Sequence, residues 1–277
     1  MREAGTIAVV GEALVDLVQL TAGGLFDAVP GGSPANVAVG LARLEIPVRM
    51  IARLGDDLLG RQLRDHLSKN RVDLSLAVTA SEPSTLAIVA VGSDGRPEYD
   101  FRIEGTADWQ WRDEELASAV DASVVAVHSG SLALTQLPGA DAIVRLLQRA
   151  RSSATVSYDP NCRPLVMGSP AEALSHVEEL LTIADIVKAS ADDVSWLLPG
   201  RELKDVAAEW LAAGPALVAI TRGSDGVVAI GRESGIVWRP GRTVDVVDTV
   251  GAGDRSRARC SHASTTAGCS VPVSASG

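Results

Sequence analysis

The apolar positions of this chain switch between two periods. The run Ile7-Ala8-Val9-Val10 ends in Gly11-Glu12 and predicts a buried strand closed by a turn. Residues 13–29 alternate loosely around Gly23-Gly24 and predict short, partly exposed strands. Gly31-Gly32-Ser33-Pro34 predicts a helix start, with Ser33 as N-cap and Pro34 in the first turn. Val37, Leu41 and Leu44 then share one face of a helix from Ala35 to Leu44. Val48 to Leu54 reads as strand and Gly60 to Lys69 as helix. Thr85 to Val91 and Glu98 to Arg102 flank Asp94-Gly95, a hairpin pattern.

From Val124 onward, strand and helix patterns alternate. Strands are expected at Val124 to His128, Thr155 to Tyr158, Ile186-Val187 and Ala216 to Thr221. Helices are expected at Ala140 to Arg151, Ala171 to Leu181, Asp192 to Leu198 and Leu203 to Ala213. Val227 to Gly231 and Ile236 to Arg239 form a second hairpin. This alternation predicts an α/β fold with a mostly parallel, helix-covered sheet. The first hairpin interrupts it and predicts a lid or edge sheet.

Composition narrows the function classes. In 277 residues, 46% are hydrophobic but only 3% aromatic, so the core is expected from small aliphatic side chains. The formal net charge of −10 argues against a general nucleic-acid binder, which needs a basic footprint. It leaves room for a local anion site made of backbone amides. Cys162, Cys260 and Cys269 have neither metal-ligand spacing nor the number for a disulfide framework. No apolar run is long enough to span a bilayer and Met1 to Ala4 does not read as a signal peptide, so no membrane partner and a cytoplasmic location are expected. His66, His128, His176 and His262 are scattered and pair with no visible nucleophile. Residues 255–277 hold three Arg, frequent Ser and no acidic residue, Leu or Ile. That composition cannot cover a core face and predicts a disordered tail, in keeping with translation in a shifted frame.

The stretch richest in chemistry is Asp248-Thr249-Val250-Gly251-Ala252-Gly253-Asp254. Gly251, Ala252 and Gly253 let backbone N–H groups converge on one point, and Asp254 stands beside it as a candidate base. Phosphoryl transfer to a hydroxyl needs such a cradle and such a base. On residues alone, the same stretch is equally a turn with an N-capping Asp.

Two ordered segments give the chain a family likeness. Gly31-Gly32-Ser33-Pro34-Ala35-Asn36-Val37-Ala38, continuing through Arg53-Leu54-Gly55-Asp56-Asp57 and Gly60, resembles the first signature of the ribokinase-like (PfkB) carbohydrate kinases. Asp248 to Asp254 resembles the second. Gly105-Thr106-Ala107-Asp108-Trp109 and Tyr158 to Pro164 resemble the bacterial fructokinase branch.

The resemblance implies a three-layer α/β/α sandwich over residues 1–254, with a small β lid from about 12–30 and 84–104. It implies transfer of the ATP γ-phosphoryl group to a sugar hydroxyl, fructose above 2-keto-3-deoxygluconate, ribose or a nucleoside. A catalytically dead, sugar-binding remnant is the rival reading, because the tail replaces the apolar helix expected after Asp254. Asp254 aligns with the family's base and Gly251 to Asp254 with its anion hole. Asp16, Gly31, Gly32, Asn36 and Arg163 are the expected sugar contacts. Asn36 also fits a first-turn cap, and Arg163 a solvated loop. Lys188, Ser190, Thr221, Gly223 and Gly226 lie where the family binds ATP, along the carboxyl edge of the sheet. Asp193 is the candidate for Mg²⁺, and Asp248 for a monovalent cation such as K⁺. Trp109 and Trp111 are expected in packing rather than sugar stacking. The lid is also a surface through which a homodimer could form.

Overall fold

The computed structural model describes residues 5–19, 24–91 and 97–241. An eight-stranded sheet runs through its centre. Chain order gives β1 (Thr6–Val10), β4 (Val48–Ile51), β9 (Val124–Gly130), β10 (Thr155–Asp159), β11 (Ile186–Ser190), β12 (Leu217–Thr221), β13 (Val227–Gly231) and β14 (Gly235–Arg239). Their spatial order is β14-β13-β12-β11-β10-β9-β1-β4. The six strands from β12 to β4 are parallel, and β13 and β14 close one edge antiparallel.

Strand alternation splits the core in two. Ile7 and Val9 point toward a cluster with α1 (Ser33–Arg43) and α2 (Leu58–Lys69). Ala8 and Val10 point the other way, toward a cluster with α3 (Gly139–Ala150), α4 (Pro170–Leu181), α5 (Ala191–Leu197) and α6 (Leu203–Ala213). Helices therefore cover both faces, which is the expected three-layer α/β/α arrangement. Trp109 and Trp111 are buried in the second cluster, as expected.

A separate four-stranded sheet has the order β3-β2-β7-β8, from β2 (Leu14–Gln19), β3 (Phe26–Gly31), β7 (Leu86–Val91) and β8 (Pro97–Arg102). The chain leaves β1 for this sheet at Gly11 to Ala13 and returns from it into α1 at Gly31-Gly32. The hairpin expected around Asp94-Gly95 is present as the antiparallel β7–β8 pair, while the turn lies outside the described residues.

Two local expectations need correction. Val48 to Leu54 is not one strand. It breaks at Ala52, and β5 (Arg53–Gly55) leaves the central sheet to pair with β6 (Val78–Ala80). Ser33 is not the N-cap of α1. Gly32 holds that position at φ 96, Ser33 is already helical, and no side chain caps the end.

Candidate active site

The parallel strands end on one edge, and the small sheet rises beside it. Asp16 lies on β2, paired across the sheet with Val29 on β3 and Ala87 on β7. Burial pushes its carboxyl up to about 6, and the positive charge of Arg163 acts in the opposite direction. Arg163 belongs to the loop after β10. The charge of Arg163 thus acts on Asp16 although the two are distant along the chain. The loop holds Arg163 firmly: its guanidinium donates to the Asn161 carbonyl at 3.2 Å, to Asn161 Oδ1 at 3.0 Å and to the Cys162 carbonyl at 3.0 Å.

Gly31 and Gly32 sit where backbone must pass closely. A Cβ on Gly31 would collide with the Asp16 carboxylate. A Cβ on Gly32 would lie 2.6 Å from the Glu12 carbonyl, on a backbone whose φ favours glycine. Asn36 is half-buried in the first turn of α1, its N–H donating to the Gly32 carbonyl at 2.9 Å.

On the nucleotide side, Ser190 and Thr221 are register partners at the ends of β11 and β12. Thr221 Oγ1 donates to the Ala189 carbonyl at 3.3 Å. Gly223 adopts φ 53, with open space where its Cβ would be. Gly226 adopts φ 95, and any Cβ there would strike the Arg239 carbonyl. These residues offer small groups and backbone at an open strand edge, a setting that suits nucleotide phosphates.

Lys188 and Asp193, expected at the nucleotide and the metal, both have partners within the protein. Lys188 is 5% exposed, and its ammonium lies 3.0 Å from the carboxylate of buried Asp159. Its charge is committed inside the fold rather than presented at the edge. Asp193 is the third residue of a capping box on α5. Ser190 N–H and Oγ donate to its Oδ2 at 2.7 and 2.6 Å, and Cys162 N–H donates to its Oδ1 at 2.7 Å. Both carboxylate oxygens serve protein donors. Among the described residues, no three His, Cys, Asp or Glu side chains gather as a metal site. Asp248, Gly251, Ala252, Gly253 and Asp254 lie outside the described residues, as does the tail 255–277.

Two carboxyl groups were not singled out by the sequence reading. Glu12, 1% exposed, accepts the Ala133 N–H at 3.1 Å. Asp108, 2% exposed, accepts the Ala13 N–H at 2.8 Å. Burial pushes each up to about 7. The available signal was an acidic residue closing an apolar strand, Val9-Val10-Gly11-Glu12. His128 is buried within the central sheet, its Nδ1 3.2 Å from Ser157 Oγ.

A parallel sheet covered by helices, with polar groups converging on its carboxyl edge beneath a small accessory sheet, defines an α/β enzyme acting on a small polar molecule. The chain belongs to the pfkB family of carbohydrate kinases, whose profile matches residues 4–258. It is 34% identical to a fructokinase of Rhizobium leguminosarum bv. trifolii over 247 residues, spanning 88% of this chain and 75% of that protein. The crystal structure of a fructokinase from Xylella fastidiosa with bound ATP superposes with a TM-score of 0.86 at 28% identity, covering 94% of this chain and 81% of that one. An aminoimidazole riboside kinase from Salmonella enterica, complexed with its riboside and an ATP analog, gives a TM-score of 0.77 at 30% identity, covering 90% and 80%. The chain is an ATP-dependent sugar kinase. Among its described residues, no helix is long and apolar enough to cross a membrane.

Proposed function

We propose that this kinase phosphorylates fructose. The small sheet acts as a lid over the sugar, and Asp16, Gly31, Gly32, Asn36 and Arg163 contact it. The observation that carries the reading is the placement of the half-buried Asp16 carboxylate directly against Gly31, where the positive charge of Arg163 also acts on it. An ionised Asp16 accepts hydrogen bonds from two sugar hydroxyls, and the guanidinium adds charge-assisted donors. The 34% identity to a fructokinase supports the choice of sugar.

Asp254 takes the proton of the attacking hydroxyl, and the amides of Gly251 to Asp254 stabilise the charge of the transferring phosphoryl group. ATP lies along Ser190, Thr221, Gly223 and Gly226. Mg²⁺ supplies charge neutralisation on the phosphates when bound, and Asp248 supports a monovalent cation such as K⁺. A homodimer through the lid is favoured by exposed Phe26 and Tyr99 on its strands.

A second reading, a riboside kinase, is favoured by the likeness to the aminoimidazole riboside enzyme. A coupled ADP-release assay with fructose, ribose, 2-keto-3-deoxygluconate, adenosine and aminoimidazole riboside separates them. Fructose is expected to turn over fastest. Preference for a riboside would overturn the fructose reading, and sugar-induced thermal stabilisation with no turnover on any acceptor would select a non-catalytic sugar-binding protein. Asp254→Asn is expected to lower kcat by at least about a hundredfold while sparing sugar binding. Equal loss of both would remove Asp254 from the role of base.

A further inference from the structure

Asn161, Cys162 and Arg163 follow β10, and each backbone N–H in this run ends on a side chain. Asn161 N–H donates to Asp159 Oδ1 at 2.8 Å, Cys162 N–H to Asp193 Oδ1 at 2.7 Å and Arg163 N–H to Met167 Sδ at 3.2 Å. The Arg163 carbonyl accepts the N–H groups of Val166 and Met167 at 2.9 and 3.0 Å. Asn161 adopts φ 38, a left-handed conformation that Asn tolerates better than most side chains. The backbone that carries Arg163 is therefore fixed at every residue.

What the backbone leaves free is the long arginine side chain. A guanidinium has five N–H donors. Nη1 holds two of them, and they are spent within the loop, on the Asn161 carbonyl, Asn161 Oδ1 and the Cys162 carbonyl. Nε and Nη2 hold the rest and form the edge that grips two oxygen atoms at once. Among the described residues, nothing accepts from that edge. Arg163 is half-buried, and its charge acts on Asp16 in the lid and on Glu12 where the chain leaves β1 for the lid. Two of the three acceptors on Nη1 are main-chain carbonyls, present whatever side chain occupies position 161. Among the described residues, Asn161 Oδ1 is the one side-chain acceptor that meets the guanidinium.

We propose that Asn161 is a positioning residue: its Oδ1 holds Nη1 of Arg163, so that the Nε–Nη2 edge is set in advance for two acceptor oxygens of the sugar. The proposal rests on the sugar role given to Arg163 above. An arginine ordered beforehand loses little side-chain freedom on binding, and that saving appears as sugar affinity. The left-handed backbone of Asn161 belongs to the same device, because it is the conformation from which the short carboxamide turns to the arginine two residues on.

Asn161→Gly removes Oδ1, keeps both carbonyls and accepts φ 38. The sugar KM should rise about three- to tenfold, the affinity equivalent of ordering one long side chain on binding, while the ATP KM moves less than about twofold. Asn161→Asp keeps an acceptor on a residue type at home in that conformation and should recover most of the loss. In an Arg163→Ala background, the change from Asn to Gly should leave the sugar KM where it was, because a residue acting through Arg163 has nothing left to act on. An Asn161→Gly effect of equal size with and without Arg163, or one shared equally by ATP, overturns the proposal and leaves Asn161 as a turn former.

A second arm needs no sugar. In NMR of the full chain with isotope-labelled arginine, the Nη signals that vanish in Arg163→Ala should be separate and slowly rotating in wild type and Asn161→Asp, and averaged in Asn161→Gly. Averaged signals in wild type overturn the clamp, and that result decides even if Asn161→Gly does not fold. Turnover on a sugar other than fructose overturns the fructose reading alone, and the same comparison is then read in that sugar's KM. If no acceptor turns over, calorimetric sugar affinity takes the place of KM. A sugar affinity that Arg163→Ala leaves unchanged for every sugar overturns the sugar role of Arg163 and the positioning role of Asn161 together.

Discussion

Lys188→Met separates a structural cation from a nucleotide ligand. The ammonium lies 3.0 Å from the Asp159 carboxylate, with side-chain exposures of 7% and 0%. At an effective dielectric of about 20, unit charges at that distance attract by about 5–6 kcal/mol, most of it offset by the desolvation of both groups. Removing one partner leaves the other charged and buried, which costs about 3–5 kcal/mol. Asp159 keeps the Asn161 N–H at 2.8 Å, so the lower end of that range is the safer expectation. For a domain of this size, about 2–4 °C is lost per kcal/mol, so the melting temperature should fall by roughly 10 °C.

Adding Asp159→Asn removes the orphaned charge and keeps an acceptor for Asn161. The double variant should recover about half of the lost stability or more, a coupling that thermal and urea unfolding of the four proteins measures. The ATP KM should change less than threefold in each folded variant. A Lys188→Met protein as stable as wild type, with an ATP KM raised tenfold or more, would refute the reasoning and return Lys188 to the nucleotide.

On the proposed sugar role Asp16 accepts hydroxyls most strongly when ionised, and its carboxyl is raised to about 6, so fructose KM should climb as pH falls below about 6. Asp16→Asn should abolish that acid limb and raise KM about 10- to 100-fold, from the loss of hydrogen bonds to a charged acceptor; an unaltered acid limb would exclude Asp16 from the sugar site. Gly32→Ala places a Cβ 2.6 Å from the Glu12 carbonyl at φ 96. It should cost about 1–3 kcal/mol in unfolding and raise fructose KM with less effect on ATP KM, while an unchanged melting temperature would mean the turn is not under steric constraint.

Much of the fold is legible along the chain because burial imposes a period. The alternation from Val124 to Thr221 yields its strands and helices within a few residues, since each strand is a short apolar run and each helix carries a stripe. The break at Ala52 has no such mark: Val48 to Leu54 reads as strand across it, with one arginine on each side, and only the competing partner at Val78–Ala80 divides it. The capping role of Asp193 was legible. Ser190-Ala191-Asp192-Asp193 has the spacing of a capping box, with an acidic residue three positions after the Ser. Lys188 was not legible, because its partner Asp159 lies on the neighbouring strand and nothing local announces burial of a lysine. Glu12 and Asp108 share that difficulty. Acidic residues are ordinarily exposed, and the N–H groups that meet these two, from Ala133 to Glu12 and from Ala13 to Asp108, come from distant parts of the chain.

The first signature divides into two tasks that its sequence does not separate. Residues Gly31 to Asn36 border the proposed sugar site, where small residues permit close approach. Residues Arg53 to Gly60 turn away from it and grip the lid root. Asp57 caps α2 through the Gly60 N–H at 2.7 Å, and it accepts the Ser84 N–H and hydroxyl, each at 2.8 Å. A Cβ on Gly60 would strike the Gly55 carbonyl, so the turn that aims Asp57 at Ser84 tolerates only glycine there. Arg53 meanwhile reaches the Ala107 carbonyl, one residue before Asp108. The second half of the signature thus fixes both entry to β7 and exit from β8. They set where β7 begins, and β7 pairs with β2 at Asp16. On the proposed reading, a lid that returns to one position over the sugar requires that root as well as the residues that meet the substrate.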